Sequence, residues 1–561
     1  MKRVVNKVIA VCAILGIAGI LQAQPTKDNT MDAVFQKGPF ASKTIKPLSI
    51  YQINIDGISQ ADMTLLSVLQ GVIAQQSPEQ IYLYQTKSDY YQPNKADTEE
   101  GLNTDTLFWL HYLTKNPIGP KFIEKNLIKN NNVWDAVSHF KQDITGYVVY
   151  DLNTPSENLA ATLCGISGDS IPVATQEQIA HAKSLNLTET ANLTNISDYQ
   201  AFFSQYETDI NKSFAIELTP GASGGGGPID YAAMLKGMVF WSGETNTVRD
   251  AILSAIGDKN SNPIPVYGWN SASGNEGDFV NGVGKNGDFV VASDNSVNLS
   301  FFASSKTKTE KVKNIIKPIT YNKEKKYVTF IVSDGDNLQF VTNKANDQRW
   351  WGSQYRGDFP VGWTIPPAMS YLEPDVWNYF VNTATKNDEL VAGPSGIGFV
   401  FGSVTNMKKQ QEYLKEFMEA TGVKTTCIFG DTASDWKNNS FMEAYTENTA
   451  VIGAFYSQFS GWMSQTDYQT KWSNDKPIVP ENIFLNNHEP SSNIDNAVSK
   501  IENSSAGSLF AVYAIRNDPD NTMDWLNELN NKLKGKNVQV VLPSQLIDLE
   551  CQAAGHPRPQ L

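Results

Sequence analysis

Histidine and cysteine are scarce in this chain, with 5 His and 4 Cys in 561 residues. Setting aside Cys12 in the leader leaves Cys164, Cys427 and Cys551, none of them in a CxxC or Cys/His metal spacing. Three scattered thiols cannot build a disulfide framework, so the fold must stand on its hydrophobic cores. Only His488 lies in the body of the C-terminal half, which argues against a His-rich metal centre there. Positive charge is short as well: 45 Lys and Arg against 59 Asp and Glu give a formal charge of −14. No basic stripe offsets it, so neither nucleic acid nor an anionic membrane surface is expected as a partner. Long apolar runs are missing except over residues 8–21, where Lys2, Arg3 and Lys7 precede the run and Ala23 follows it. That reads as a secretory signal over 1–23, too short for a comfortable membrane span. No Cys follows it to carry a lipid anchor. A periplasmic or extracellular mature chain without a membrane span is expected.

What is present is a rhythm of strands and helices. Residues 51–56, 81–84, 146–150, 171–174 and 214–218 read as strands, and 61–75 as a helix with an apolar face. Asp151 and Ser156 can cap a helix running through Cys164, and 230–241 reads as another helix. The glycine run 221–227 has no Lys-Ser/Thr ending and no GxGxxG pattern, so it reads as a flexible loop, not a phosphate cradle. These alternations predict an N-terminal α/β domain over 45–305 with a mainly parallel sheet. Its end, 265–302, is rich in Gly, Asn and Asp and reads as irregular or β-rich. The Lys-rich stretch 306–326 reads as a linker.

Beyond it, strands are predicted at 327–332, 361–364, 390–393, 426–429, 451–455, 477–479, 509–515 and 538–542. Helical patterns at 375–385, 407–421, 434–446, 493–501 and 523–533 separate most of them. Strand count and length fit a (β/α)8-like barrel over 327–550, distorted or with seven good strands, because three gaps lack clean helices. Residues 551–561 read as a flexible tail.

The first of these strands empties into Ser333-Asp334-Gly335-Asp336-Asn337. Two carboxylates and a carboxamide at the carboxyl end of a buried strand stand where α/β folds bind ligands. A helix cap or Asx turn would explain one such Asp, less readily two. Other strand ends offer Ser395, Asp431 (also a possible helix cap), Glu481, Arg516 and Asp518 (also a turn residue). His488-Glu489-Pro490 reads as a surface turn. Acids converging with almost no His or Cys suit carboxylate chemistry of the glycosidase kind. Eight of the 12 Trp follow residue 330, and Trp350, Trp351, Trp436 and Trp462 fall in loops. Flat rings beside acids fit a carbohydrate groove, although Trp also packs in ordinary cores.

The stretch 387–401, with Gly396-Ile397-Gly398-Phe399-Val400-Phe401 at its end, resembles the defining stretch of the GxGYxYP family. These are exported bacterial proteins to which glycoside hydrolysis is attributed. The Ser333–Asn337 run, Val361-Gly362-Trp363-Thr364, Phe429-Gly430-Asp431, Leu69-Gln70-Gly71-Val72 and the run from Gly146 to Asp151 are similar to that family too. Phe399 and Phe401 stand where the family has Tyr, and Gly402 where it has Pro, so ring faces survive while two hydroxyls are lost. Together with the residues, the resemblance implies a glycoside hydrolase with Asp334, Asp336 and Asp431 as catalytic carboxylates. Asn337, Trp350, Trp351, Ser395, Phe399, Phe401 and Arg516 would contact a carbohydrate, with no cofactor and no metal. Two other classes stay open: a glycan-binding or scaffold protein with a degenerate site, and a magnesium-dependent phosphatase of the haloacid-dehalogenase type.

Overall fold

The computed structural model describes residues 44–86, 105–126, 132–221, 227–257, 262–272, 276–333, 337–458, 468–485, 490–515 and 522–561. Residues 1–23, which read as a secretory signal, lie outside them. Among the described residues no helix is long and apolar enough to cross a membrane.

The N-terminal half holds three separate parallel sheets. The first joins β1 (Ser49–Asn54), β2 (Glu79–Tyr84) and β3 (Ile123–Asn126) in the order β2-β1-β3. The second joins β4 (Gly146–Val149), β5 (Ser170–Val173) and β6 (Thr188–Asn192) as β5-β4-β6. The third joins β7 (Asn211–Glu217), β8 (Gly237–Phe240), β9 (Pro265–Gly268) and β10 (Phe289–Ala292) as β10-β9-β7-β8. In each unit the first strand is central, and the next two flank it in parallel register. One plan is therefore used three times. The helices that follow the three first strands, α1 (Gln60–Ala74), α2 (Pro155–Ser167) and α3 (Ile229–Leu235), meet in a common core. Every residue of α3 is buried there.

Two stretches differ from the sequence reading. Residues 230–241 are a short helix and then a strand, because Lys236 turns left-handed (φ 60°) and the apolar run after it is β8. Residues 265–304 are not irregular: β9, α5 (Glu276–Lys285), β10 and α6 (Leu299–Ser304) continue the alternation after α4 (Thr247–Ile256). Their Gly, Asn and Asp residues mark tight turns between very short elements.

In the C-terminal half, β11 (Lys326–Ser333), β12 (Val361–Ile365), β13 (Asp388–Ala392), β14 (Thr425–Gly430), β15 (Gly453–Gln458), β17 (Lys476–Leu485) and β18 (Leu509–Ile515) close into a seven-stranded parallel barrel. A short β16 (Lys471–Ser473) pairs antiparallel with β17. The eighth expected strand, β19 (Val538–Val541), pairs with the lower half of β11, from Lys326 to Thr329. The upper half, at Ile331 and Val332, is taken by β12, so the wall at the mouth has seven staves. Helices α7 (Pro374–Thr383), α8 (Met407–Thr421), α11 (Pro490–Asn503) and α12 (Thr522–Leu533) fall close to where the apolar spacing puts them, while α13 (Pro543–Ala554), after β19, has no counterpart in the sequence reading. The predicted 434–446 helix is broken into α9 (Ala433–Lys437) and α10 (Asn439–Glu447). Asn438 leaves helical geometry there, and its side chain caps Phe441 N at 3.2 Å.

The charged stretch 306–326 is a strap laid along the barrel. Asn314 donates to the carbonyls of Thr385 and Asp388, both at 2.6 Å, and Trp377 Nε1 donates to Glu310 O at 2.8 Å. The tail is tied down rather than loose: Arg558 clamps the buried Asp548 (Nε to Oδ1 2.7 Å), and Lys424 donates to Gln560 O at 3.1 Å.

The two halves are joined backbone to backbone. Val290 N donates to Phe399 O at 3.0 Å, Phe399 N to Val290 O at 2.8 Å, and Leu338 N to Ala292 O at 3.0 Å. Edge strand β10 of the third unit is thereby paired with the loop after β13 and reaches the loop after β11. The close approach needs a glycine, since a Cβ on Gly398 would lie 2.6 Å from Val290 O. Gly398→Ala is expected to destabilise the protein by about 1–3 kcal/mol through overpacking. Thermal denaturation checks this, and an unchanged melting temperature would contradict it.

Candidate active site

Period-two alternation sets what the barrel mouth holds. Register aligns Phe429, Ser457, Glu481, Ala511 and Thr329 on one face of successive strands, and Tyr513 on the same face as Ala511. Phe429 of β14 meets Tyr513 of β18 at 6.0 Å between ring centroids, across two intervening strands, so that face is the barrel interior. Glu481 is fully buried there, and burial pushes its carboxyl up to about 8. Ser457 and the Cys427 thiol (Sγ to Oε1 3.5 Å) hold the rise back, yet Oε2 has no hydrogen-bond partner among the described residues. Glu481 is thus a neutral interior acid at pH 7.

Asp334, Asp336, Arg516, Asp518, His488, Glu489 and Trp462 lie outside the described residues. The residues bracketing the first two are fixed. Thr364 Oγ1 donates to Ser333 Oγ at 2.7 Å, tying the end of β11 to β12. Asn337 donates to Thr364 O at 3.3 Å and Gly393 O at 3.2 Å, spanning β12 and β13. Its carboxamide is buried, so Asn337 anchors the loop instead of reaching a ligand.

Asp431, just past β14, is half-buried at the mouth. It does not cap the next helix; Thr432 does, by accepting from Ser434 N. Instead Asp431 Oδ2 accepts from Asn281 Nδ2 of α5 at 2.8 Å, a side-chain link between the third unit and the barrel. Beside it, Asp435 Oδ2 accepts from Asp431 N at 2.7 Å. Burial raises the Asp435 carboxyl and the charge of Asp431 adds to this, while N–H groups of Asp431 and Gly402 oppose it. Burial also pushes the Tyr456 hydroxyl up. Trp436 of α9 stacks flat on Tyr468 (4.9 Å, 2°) with Lys471 on its ring at 4.8 Å, and Tyr468 donates to Gln458 Oε1 at 3.1 Å. An aromatic pile therefore stands near Asp431.

The third unit packs against this end of the barrel. Trp269, at the carboxyl end of β9, is half-buried and donates from Nε1 to Glu276 Oε1 at 3.0 Å. Asp294, after β10, has its carboxyl raised by burial and by the charge of Glu276, with Gln339 opposing. Its Oδ1 has no hydrogen-bond partner among the described residues.

Models of one family match the chain over four consecutive stretches. These are "GxGYxYP_N 1st domain" (residues 49–142), "GxGYxYP_N second domain" (144–210), "GxGYxYP third domain" (212–304) and "GxGYxYP putative glycoside hydrolase C-terminal domain" (324–550). The chain belongs to the GxGYxYP family. The three N-terminal stretches each contain one of the three sheets. A solved structure described as "Crystal structure of a putative hydrolase from Bacteroides thetaiotaomicron VPI-5482 at 1.25 A resolution" is similar over 92% of this chain and 97% of its own, with a TM-score of 0.76 and 21% identity. That likeness shows the fold. No curated protein matches.

In this GxGYxYP chain the signature stretch works as a joint. Phe399 and Phe401 are buried, and the Phe399 ring packs on Trp269 (5.6 Å), Phe401 (6.3 Å) and Phe429 (5.7 Å). Neither offers a face to a ligand as expected. Ser395 is also spent: it donates to Val400 O at 3.0 Å and accepts from Phe429 N at 3.1 Å. Trp350 and Trp351 are core residues, with indoles donating to Thr522 (3.1 Å) and Thr383 (3.0 Å), so they line no groove. Conversely, Trp269, Glu276, Asn281 and Asp294 escape a sequence reading that takes 265–302 as irregular. Their signal is a Trp and acids directly after the short apolar runs that are β9 and β10.

The neutral Glu481 has a consequence for stability. Its carboxyl is protonated in the fold up to about 8 but ionises in the unfolded chain near its ordinary 4.5. The folded state therefore binds more protons through that window, and stability falls as pH rises across it. Glu481→Gln should flatten part of that fall in melting temperature. Parallel wild-type and variant profiles from pH 5 to 8 would contradict it.

Proposed function

We propose that this protein is an exported glycoside hydrolase acting in the cleft between the third unit and the barrel mouth. One observation supports it above the rest: Asp431, half-buried at the end of β14 and held by Asn281, adjoins Asp435, whose carboxyl burial raises. Two carboxyl groups brought together at a barrel strand end are groups that acid/base cleavage of a glycosidic bond can use. In this reading Asp334 is the base or nucleophile at the first strand end. Asp336 or Asp431 protonates the leaving oxygen, and exposed Glu276 adds a carboxylate on the facing wall. The half-buried Tyr468, backed by the buried Trp436 stacked on it, supplies flat surface for a sugar ring.

The burial of Phe399 and Phe401 bears on the rival reading of a binding protein with a degenerate site. Those rings serve packing between the halves, so the two absent hydroxyls are lost from a joint rather than from the cleft. Turnover on a panel of soluble glycans tests the proposal. Asp334→Asn and Asp336→Asn should each cut it by at least about a hundredfold, the usual weight of a positioned acid or base. Undiminished turnover in both variants would sink the assignment. Magnesium-dependent turnover of a phosphomonoester would replace it with the phosphatase reading.

A further inference from the structure

The four-stranded sheet of the third unit changes direction between β7 and β9: the chain steps from β7 to β8 on one side, then to β9 and β10 on the other. In open parallel sheets the crevice at the carboxyl ends of such a pair is where ligands bind. Here the crevice is filled by a closed polar network. Glu217, at the end of β7 and fully buried, accepts from Arg249 (Nε to Oε2 2.6 Å, Nη2 to Oε1 2.7 Å) and from Asn270 (2.7 Å). Its described donors, Ser242, Arg249 and Asn270, all belong to the same unit. The network does not hold a ligand; it holds Asn270, the neighbour of Trp269.

Trp269 is fixed on its other sides too. Its ring meets Phe279 at 5.4 Å (77°) and Phe399 at 5.6 Å (58°), and its N–H is taken by Glu276. Arg249 lies against the opposite partner, 4.9 Å from the Phe279 ring centroid. The indole is thus oriented by two ring contacts and one hydrogen bond, yet stays half-buried instead of vanishing into the joint. An oriented, half-buried indole, the exposed Glu276 bonded to it and Asp294, whose Oδ1 has no hydrogen-bond partner among the described residues, suit a hydroxyl-rich, flat-faced ligand.

We propose that Trp269 is the platform of a sugar-binding subsite carried by the third unit, on which one pyranose ring of a glycan chain stacks while the barrel acts on a neighbouring linkage. Glu276 is a positioning residue for the indole. The catalytic part of this statement rests on the hydrolase reading; the stacking part does not.

The test uses the full chain with laminarin, xylan, glucomannan, polygalacturonate and mucin glycans as probes, following binding by calorimetry, tryptophan fluorescence and turnover. Trp269→Ala should weaken binding about tenfold or more, as loss of a central aromatic anchor does, with KM rising and kcat changing less than about threefold. Trp269→Phe keeps a ring and should still bind by calorimetry, but should lose most of the sugar-induced fluorescence change. That second readout decides the matter if the alanine variant does not fold. Trp525→Phe, on α12, should alter neither. Binding that depends on Trp269 without turnover would keep the subsite and discard the hydrolase. Turnover with Trp269→Ala equal to wild type, or a fluorescence change that persists in Trp269→Phe, would overturn the subsite. A wild-type protein that binds none of the probes would overturn it as well.

Discussion

The rest of the molecule depends on the reciprocal pair of hydrogen bonds between Val290 and Phe399. A parallel barrel has no free edge of its own, whereas the third unit ends in one, at β10. Pairing that edge with the loop after β13 satisfies backbone groups that would otherwise need water, and it blocks an edge open to association. It also sets the distance between the halves. Once β10 is docked, Asn281 reaches Asp431, Trp269 meets Phe399, and Asp294 stands beside Gln339. The contacts between the two halves follow from one short stretch of β pairing.

This explains the chemistry of the signature stretch. Gly398 is needed for a backbone contact, and Phe399 and Phe401 for the aromatic packing beneath it. Gly402 offers an N–H to Asp435, which a Pro could not. The stretch joins the two halves, and its buried rings offer no face to a ligand. A hydroxyl missing from two buried rings is then a packing matter.

Much of the barrel was legible in the sequence because its strands are long apolar runs separated by amphipathic helices. The helix at Met407–Thr421 is read to the residue, and seven predicted strands line the wall. The eighth was legible as a strand but not as a stave, because only pairing decides which half of β11 it takes. The three short sheets read as one domain, since four-residue strands carry no signal of which neighbours they join. Asp431 was legible as a strand-end acid, although its partner Asn281 lies 150 positions away, beyond any local pattern. Trp350 and Trp351 misled for the opposite reason: loop sequence around them says nothing of a threonine waiting in the core.

The central claim is that ligand is held between two walls, one from each half of the chain. The most direct measurement is a crystal structure of Asp334→Asn soaked with an oligosaccharide from a glycan the protein binds. The expected result is a chain of sugar density running from the Trp269 ring to the carboxylate of Asp431. Density confined to the outer face of either half, or at the opposite end of the barrel, would contradict it.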